Sequence, residues 1–310
     1  MVQFLERIRQ KKSTGRGMSG RPVQAGPDFL CVGAQKGGTT WFFDQLEHHP
    51  DFWMPPVKEL HYFNTQFRIH NAERLYKEAT NGLRKLNRTL KKWNKRPLEQ
   101  SDIEWLKAFI EQDGDPVDFD RYRQLFSPKE NRLSGDVTPN YAILPDETVS
   151  TICRELPEVK IIYFARDPIE RIWSQYCMVV DMLKWEAPEQ FDTFLKFADQ
   201  FESREHSRAA ANAGRWKDYS GSSRFGLYFF DDIQSDADEV RRRVIAFVGG
   251  DPARKSGNLG GSFNRKSKNP KIAMTEDIRE HLVDTLGAEV IAAARELGGP
   301  AEAWPARYGL

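Results

Sequence analysis

Short apolar runs alternate along the chain with longer segments in which apolar residues recur at helical spacing. Residues 29–32 form an apolar run that is too short for a core helix and is closed by Gly33, which predicts a buried strand. Residues 159–164 and 224–230 predict further strands, and residues 133–141 predict a short strand and turn. Strands separated by helical segments predict an α/β fold with a mainly parallel central sheet flanked by helices.

Helical segments follow the predicted strands. The first runs from about Thr40 to His48, and Pro50 lies just beyond it. After the second strand, Asp167 is placed to cap a helix whose first turn contains Pro168. Apolar residues on one face of that helix are Ile169, Ile172, Trp173, Tyr176 and Val180. Further helices are predicted over residues 145–156, 191–201, 204–219 and 235–248, and from residue 275.

The loop between the first strand and its helix has the composition of an anion-binding site. Paired glycines let the backbone aim several N–H groups at one point, and the helix start adds free amides and the positive end of its dipole. A lysine supplies full charge and two threonine hydroxyls supply donors. The lysine precedes the glycines, unlike in the ATP-binding pattern G-x-x-x-x-G-K-[ST]. The candidate binding residues are Lys36, Gly37, Gly38, Thr39 and Thr40.

A second candidate anion site follows the strand of residues 159–164. Arg166 comes at the carboxyl end of that strand, where ligands bind in open α/β sheets. Arg171 and Ser174 are three residues apart in the next helix, so the spacing predicts that they share one face.

Residues 51–63 contain a candidate for proton transfer. Pro55 and Pro56 enforce a non-helical path, and in an extended segment Glu59 and His61 would project from the same face. A carboxylate beside an imidazole is suited to taking a proton from a hydroxyl. Without the neighbouring anion loop, a solvated glutamate and a structural histidine would be the better interpretation.

These motifs resemble those of sulfotransferases that use PAPS (3′-phosphoadenosine 5′-phosphosulfate). VGAQKGGTTWF, LEHHPD and KELHYF resemble the 5′-phosphosulfate-binding loop and acceptor-side segment, and VKIIYFARDPIERIWSQY resembles the 3′-phosphate motif. The resemblance is closest to the carbohydrate branch, such as the heparan sulfate sulfotransferases. It implies a P-loop nucleotide-kinase-like fold and a PAPS donor with no required metal. It also implies that Arg166 and Ser174 bind the 3′-phosphate, that Glu59 is the general base, and that His61 and Lys36 assist catalysis.

Two departures from the family pattern concern charge. Relatives often carry E-K-T-P where this chain has Asp136-Val137-Thr138-Pro139, so a lysine is absent at Val137. Lys36 would then neutralise more of the developing charge, or Lys58 or His61 would help. Residues 257–271 occupy the position of the family's phosphate- and adenine-covering loop without its K-G pair. The candidate donor-binding residues there are Lys266 and Lys268.

The chain divides into a basic tail at residues 1–27, expected to be mobile, and a sulfotransferase domain at residues 28–310. Residues 64–130 interrupt the α/β pattern and are interpreted as a helical insertion over the acceptor side, with Ser101 and Glu104 as a capping box. A sugar or anionic acceptor would suit its basic stretch at residues 84–96. A solvated helix face is the simpler explanation for most of those bases.

Composition excludes some function classes. Lys and Arg number 46 against 45 Asp and Glu, giving a net charge of +1, so no nucleic-acid partner is expected. Asp231 and Asp232 lack accompanying ligands, so no metal site is predicted. The three cysteines, Cys31, Cys153 and Cys177, suit reduced thiols. No apolar run is long enough to span a bilayer and no signal core is present, which favours a soluble, cytoplasmic, bacterial-type member or a trimmed chain.

The hypothesis from sequence is therefore a sulfotransferase that moves the sulfuryl group of PAPS to a hydroxyl or amine of a carbohydrate or other small-molecule acceptor and releases PAP. The alternatives are an ATP-dependent kinase and a non-catalytic PAPS- or PAP-binding protein. The acceptor, the choice between O- and N-sulfation and the oligomeric state are open at this stage.

Overall fold

A sheet of four parallel strands lies at the centre of the computed structural model, which describes residues 26–64, 68–184, 190–254 and 272–310. The strands are β1 (Phe29–Gly33), β2 (Gly135–Val137), β3 (Lys160–Ala165) and β4 (Phe225–Phe229). Their order is β2-β1-β3-β4, and every neighbouring pair is parallel. The predicted α/β class with a mainly parallel sheet is confirmed.

Helices flank the sheet. Between β1 and β2 lie α1 (Thr39–Glu47), α2 (His70–Lys92), α3 (Gln100–Ile110) and α4 (Phe119–Gln124). Between β2 and β4 lie α5 (Asp146–Glu155), α6 (Pro168–Leu183), α7 (Phe191–Ala198), α8 (Phe201–Glu205) and α9 (Ala209–Ser220). After β4 come α10 (Phe230–Ser235), α11 (Ala237–Val248) and α12 (Glu276–Leu297). Short 3₁₀ segments lie at Ser127–Lys129, Pro139–Ile143, Gly299–Ala303 and Pro305–Tyr308.

Alternate residues of each strand enter different apolar layers, because successive side chains of a strand point to opposite faces. Phe29 and Cys31 pack with α1 and α11 on one face. Leu30 and Val32 pack with α5, α6, α9 and α12 on the other. Burial on both faces explains why the strands appear in the sequence as continuous apolar runs.

The strand order creates a switch point between β1 and β3. The chain leaves β1 for its neighbour on one side, β2, whereas it leaves β3 for its neighbour on the other side, β4. Connections that diverge in this way leave a crevice at the carboxyl ends of the two strands, where ligands bind in open α/β sheets. The loop of residues 34–38 and Arg166 both start at this edge.

Local details differ from the sequence predictions in three places. The capping box of α3 uses Asp102, whose carboxylate accepts from the Glu99 N–H at 2.8 Å, so the prediction of Ser101 and Glu104 was wrong because the helix begins earlier. Phe230 starts a helix rather than ending β4. Residues 191–219 form three helices instead of two.

No helix among residues 26–64, 68–184, 190–254 and 272–310 has the length and apolar character needed to cross a membrane.

Candidate functional site

The loop after β1 folds around the carbonyl oxygen of Phe164 at the end of β3. The Ala34 N–H donates to that oxygen at 2.8 Å, and the Gly37 N–H donates to the Ala34 oxygen at 2.9 Å. A Cβ at Gly37 would lie only 2.3 Å from the Phe164 oxygen, so any larger residue would displace the loop from the strand. Gly37 therefore permits the close contact that sets the position of the loop.

The first turn of α1 offers unoccupied backbone donors. Its N-cap, Gly38, has a φ of 106° and makes no side-chain cap, and the first turn contains no acidic residue. The first amides of a helix have no intrahelical partner, so the N–H groups of Thr39 and Thr40 are available to a ligand. Together with the positive end of the helix dipole, they suit a phosphate or a sulfate.

Lys36 adds full charge to this edge of the sheet. Its backbone has a φ of 66°, and its Nζ lies 3.5 Å from Met178 Sδ on α6. Burial, together with the nearby charges of Arg166, Lys58 and Arg171, lowers the pKa of Lys36 to about 8. Burial and the neighbouring cations make the charged ammonium less favourable than in water, and an anion bound beside it would favour the charged form.

Arg166 connects the second motif to the loop. One guanidinium nitrogen donates to the Lys36 carbonyl oxygen at 2.9 Å, and another lies 3.6 Å from the Glu170 carboxylate. The guanidinium also lies 4.4 Å from the centre of the Phe230 ring. The structure therefore brings together the two candidate anion-binding elements. Ser174, partly buried on α6, belongs to the same motif.

Arg171 is buried beneath the loop. It is 1% exposed, and no carboxylate within the described ranges lies at ion-pair distance from it. It lies on α6 three residues before Ser174, and its side chain turns inward, where burial and Arg166 lower its pKa. Its donors reach neutral oxygens of Gln35, Gln175, Ser203 and Ser207. Its contact with Gln35, at 3.3 Å, was not foreseen from the sequence.

The acceptor-side segment is not extended. Glu59 and His61 have φ values of 65° and 52°, so the prediction of an extended backbone was wrong. Their side chains nevertheless meet, with His61 Nε2 lying 3.7 Å from a Glu59 carboxylate oxygen. The other oxygen accepts from Lys58 Nζ. Burial alone would raise the pKa of Glu59, but Lys58 and His61 outweigh it and lower the pKa to about 2.

Val137 occupies the position at which a lysine was noted to be absent. Its side chain is 2% exposed and packs in the apolar layer beside α1. Among the described residues, Lys58 is the acceptor-side lysine close enough to Lys36 to lower its pKa.

The C-terminal segment supports the second motif, which the sequence did not indicate. Asp167 caps α6, as predicted, by accepting from the N–H groups of Ile169 and Glu170. Its other oxygen accepts from the Tyr308 hydroxyl at 2.9 Å and from Arg307 at 3.3 Å. These partners are 140 and 141 residues distant along the chain, so no local pattern could reveal them.

Three further predictions concern the covering loop, metal binding and the cysteines. Lys266 and Lys268 lie outside the described residues. Within the described ranges, no group of three His, Cys, Asp or Glu side chains is arranged to hold a metal ion. Cys31, Cys153 and Cys177 are in the reduced form, as predicted.

Comparison with known proteins extends these observations. The model of a family described as "Sulfotransferase family" matches residues 27–251. The chain is 28% identical over 188 residues to the membrane-associated sulfotransferase kil1 of Dictyostelium discoideum, covering 59% of this chain and 30% of that protein. The chain thus spans less than a third of the length of this curated relative.

A solved structure has the same fold. The crystal structure of a sulfotransferase from Alicyclobacillus acidocaldarius aligns with 90% of this chain and 98% of that one, with a TM-score of 0.59 and 20% sequence identity. The similarity confirms the predicted P-loop-like sulfotransferase architecture.

Proposed function

The chain belongs to the sulfotransferase family, and from that premise we propose that it moves the sulfuryl group of PAPS to a hydroxyl or amine of an acceptor and releases PAP. The acceptor is a carbohydrate or another small molecule, as in the carbohydrate branch that the KELHYF segment resembles. The helices at residues 64–130 lie over the acceptor side in this proposal.

One observation carries the donor assignment: the Arg166 guanidinium donates to the Lys36 carbonyl oxygen at 2.9 Å. The anion loop and the arginine therefore lie on adjacent strand ends, close enough for one adenosine donor to contact both. The loop amides, Lys36, Thr39 and Thr40 bind the 5′-phosphosulfate. Arg166 and Ser174 bind the 3′-phosphate.

The transfer step uses the acceptor-side segment. Glu59 accepts the proton of the acceptor hydroxyl or amine, whose oxygen or nitrogen forms a bond to sulfur. The bond between sulfur and the bridging oxygen breaks, and PAP departs with the electron pair. Lys36 and the loop amides neutralise charge on the bridging and sulfuryl oxygens, so positioning and electrostatics supply most of the catalysis. A sulfuryl group carries less charge than a phosphoryl group, so the step does not require Mg²⁺.

Two measurements test this proposal. Titration calorimetry should show that the protein binds PAP in the absence of metal and more tightly than ATP with Mg²⁺. Incubation with PAPS labelled in its sulfate should transfer label to at least one member of a panel of sugars, phenols and amines. Tight binding of ATP with Mg²⁺ and none of PAP would instead indicate a kinase, and binding of PAP without transfer to any acceptor would indicate a non-catalytic protein.

A further inference from the structure

The segment that carries Glu59 and His61 is anchored at the residue that follows it, Tyr62. The Tyr62 N–H donates to the Tyr141 hydroxyl at 2.9 Å. The Tyr62 carbonyl oxygen accepts from buried Arg68 at 3.0 Å. Both sides of the Tyr62 backbone are therefore held by side chains, one 79 residues and the other six residues along the chain.

The anchoring hydroxyl belongs to a buried cluster around Asp136. Tyr141 donates to one Asp136 oxygen at 2.8 Å, Tyr122 donates to the same oxygen at 3.1 Å, and Thr138 donates to the other at 2.7 Å. Asp136 is 1% exposed. The Thr138 hydroxyl also lies 3.5 Å from the His61 N–H, a longer contact than that between Tyr141 and Tyr62. We call these four residues, Tyr122, Asp136, Thr138 and Tyr141, the hydroxyl cluster.

The backbone of Glu59 and His61 has an unfavourable conformation that needs support from neighbouring groups. Glu59 and His61 both lie in the left-handed region, with φ values of 65° and 52°. Residues other than glycine stay in this region only where the surrounding structure imposes it, and such positions concentrate at functional sites. Contacts that support it come from the hydroxyl cluster, from Arg68 and from the Asn64 N–H, which donates to the His61 carbonyl oxygen at 2.9 Å.

We propose that Asp136 is a positioning residue that acts through Tyr141 to hold Tyr62, and thereby keeps the Glu59 carboxylate directed into the cleft. A hydroxyl carries one proton. Because the Tyr141 hydroxyl donates its proton to Asp136, the hydroxyl oxygen is left to accept from the Tyr62 N–H. The assignment of Glu59 as base rests on the proposed function, whereas the anchoring of Tyr62 does not.

Asp136→Asn tests the role of the carboxylate. The asparagine side chain replaces one acceptor oxygen with an N–H donor, so at least one hydroxyl of the cluster must turn its proton away. We expect kcat for transfer to fall about tenfold to a hundredfold, the scale of a small misplacement of a reacting group. The Kd for PAP should stay unchanged, because the donor loop lies on the other side of the site.

Two buried tyrosines, Tyr141 and Tyr122, allow a matched comparison of variants. Tyr141→Phe and Tyr122→Phe each remove one fully buried hydroxyl that donates to the same Asp136 oxygen, but only Tyr141 also contacts the Tyr62 N–H. Tyr141→Phe should lower kcat about tenfold or more. It should also speed hydrogen exchange at the Tyr62 amide, while Tyr122→Phe, which removes no contact with the Tyr62 backbone, should change kcat and exchange much less.

The outcomes separate this inference from the proposed function. If the wild-type protein transfers no sulfate, exchange at the Tyr62 amide still decides whether Tyr141 anchors the segment. Equal effects of the two tyrosine variants, or wild-type exchange and kcat in Tyr141→Phe, would overturn the proposal. Should Asp136→Asn fail to fold, the tyrosine pair alone gives the answer.

Discussion

The two sides of the site are organised differently. On the donor side, the position of the loop is set by backbone contacts with the Phe164 oxygen at the end of β3. On the acceptor side, the Glu59 segment is held by side chains that reach it from other elements. A loop held by strand ends has little freedom, whereas a segment held by hydroxyl and guanidinium groups depends on each of those groups.

The donor side and the acceptor side also differ in how their charges are paired. Arg171 has no carboxylate at ion-pair distance within the described part of the chain, and burial together with the neighbouring cations lowers the pKa of Lys36. Glu59 instead pairs with Lys58 and His61. The donor side therefore has positive charge that an anion would neutralise, whereas the acceptor side is already internally paired. We therefore expect the donor side to supply most of the affinity for the donor. The acceptor side should mainly position the base.

Replacing the donor-side lysine should give the largest effect. Lys36→Ala removes the ammonium that neutralises the sulfuryl and bridging oxygens, so we expect turnover to fall by at least about a hundredfold and PAP to bind more weakly. Lys217→Ala, which removes an exposed lysine on α9, is the matched control. Rates of sulfate transfer and calorimetric titration with PAP measure the two effects. Near-normal transfer by Lys36→Ala would refute its assigned role.

Replacing the acceptor-side base should lower the rate of transfer without changing the affinity for the donor product. Glu59→Gln keeps the shape of the side chain but removes the proton acceptor, so we expect turnover to fall about a hundredfold. The Kd for PAP should change little. Glu147→Gln, at an exposed position in the first turn of α5, controls for loss of an acidic side chain. A variant that transfers sulfate at the normal rate would remove Glu59 from the mechanism.

The pH dependence of donor binding would sharpen the comparison. In the free protein the pKa of Lys36 is about 8, below its ordinary value of 10.5, because burial and nearby cations disfavour the charged form. Binding an anion favours that form, so above pH 8 binding must take up a proton. The affinity for PAP should then fall by up to about tenfold per pH unit. Calorimetry in buffers of different ionisation enthalpy measures the proton uptake, which should be lost in Lys36→Ala.

The smallest expected effect concerns Arg171. Its charge lies beneath the loop without a carboxylate counterion among the described residues, so Arg171→Gln should weaken PAP binding about tenfold through loss of a partly screened attraction. Arg215 is a control of similar size that is paired with Asp146 at 2.8 Å. Arg215→Gln should leave the Kd for PAP near the wild-type value. An equal loss in both variants would indicate general destabilisation instead.

Local sequence determined much of the fold. Residues 29–33 and 159–164 are apolar on both faces, and this pattern alone predicted two buried strands of a parallel sheet. The glycines after β1 and the Asp167-Pro168 pair before α6 predicted where helices begin, because loop flexibility and helix capping depend on residues close in sequence. The position of Arg166 at a strand end likewise followed from strand periodicity.

Tertiary structure decided the arrangement of the site. Glu59 and His61 meet through left-handed backbone rather than through an extended segment, and Tyr62 is held by Tyr141, 79 residues along the chain. The spacing of Arg171 and Ser174 on α6 did not show that the Arg171 side chain would reach Ser207, because helical spacing does not reveal the acceptors in the interior. Periodicity reports which face of an element is buried. The partners of a buried polar group come from wherever the fold brings donors and acceptors together, which only the three-dimensional arrangement determines.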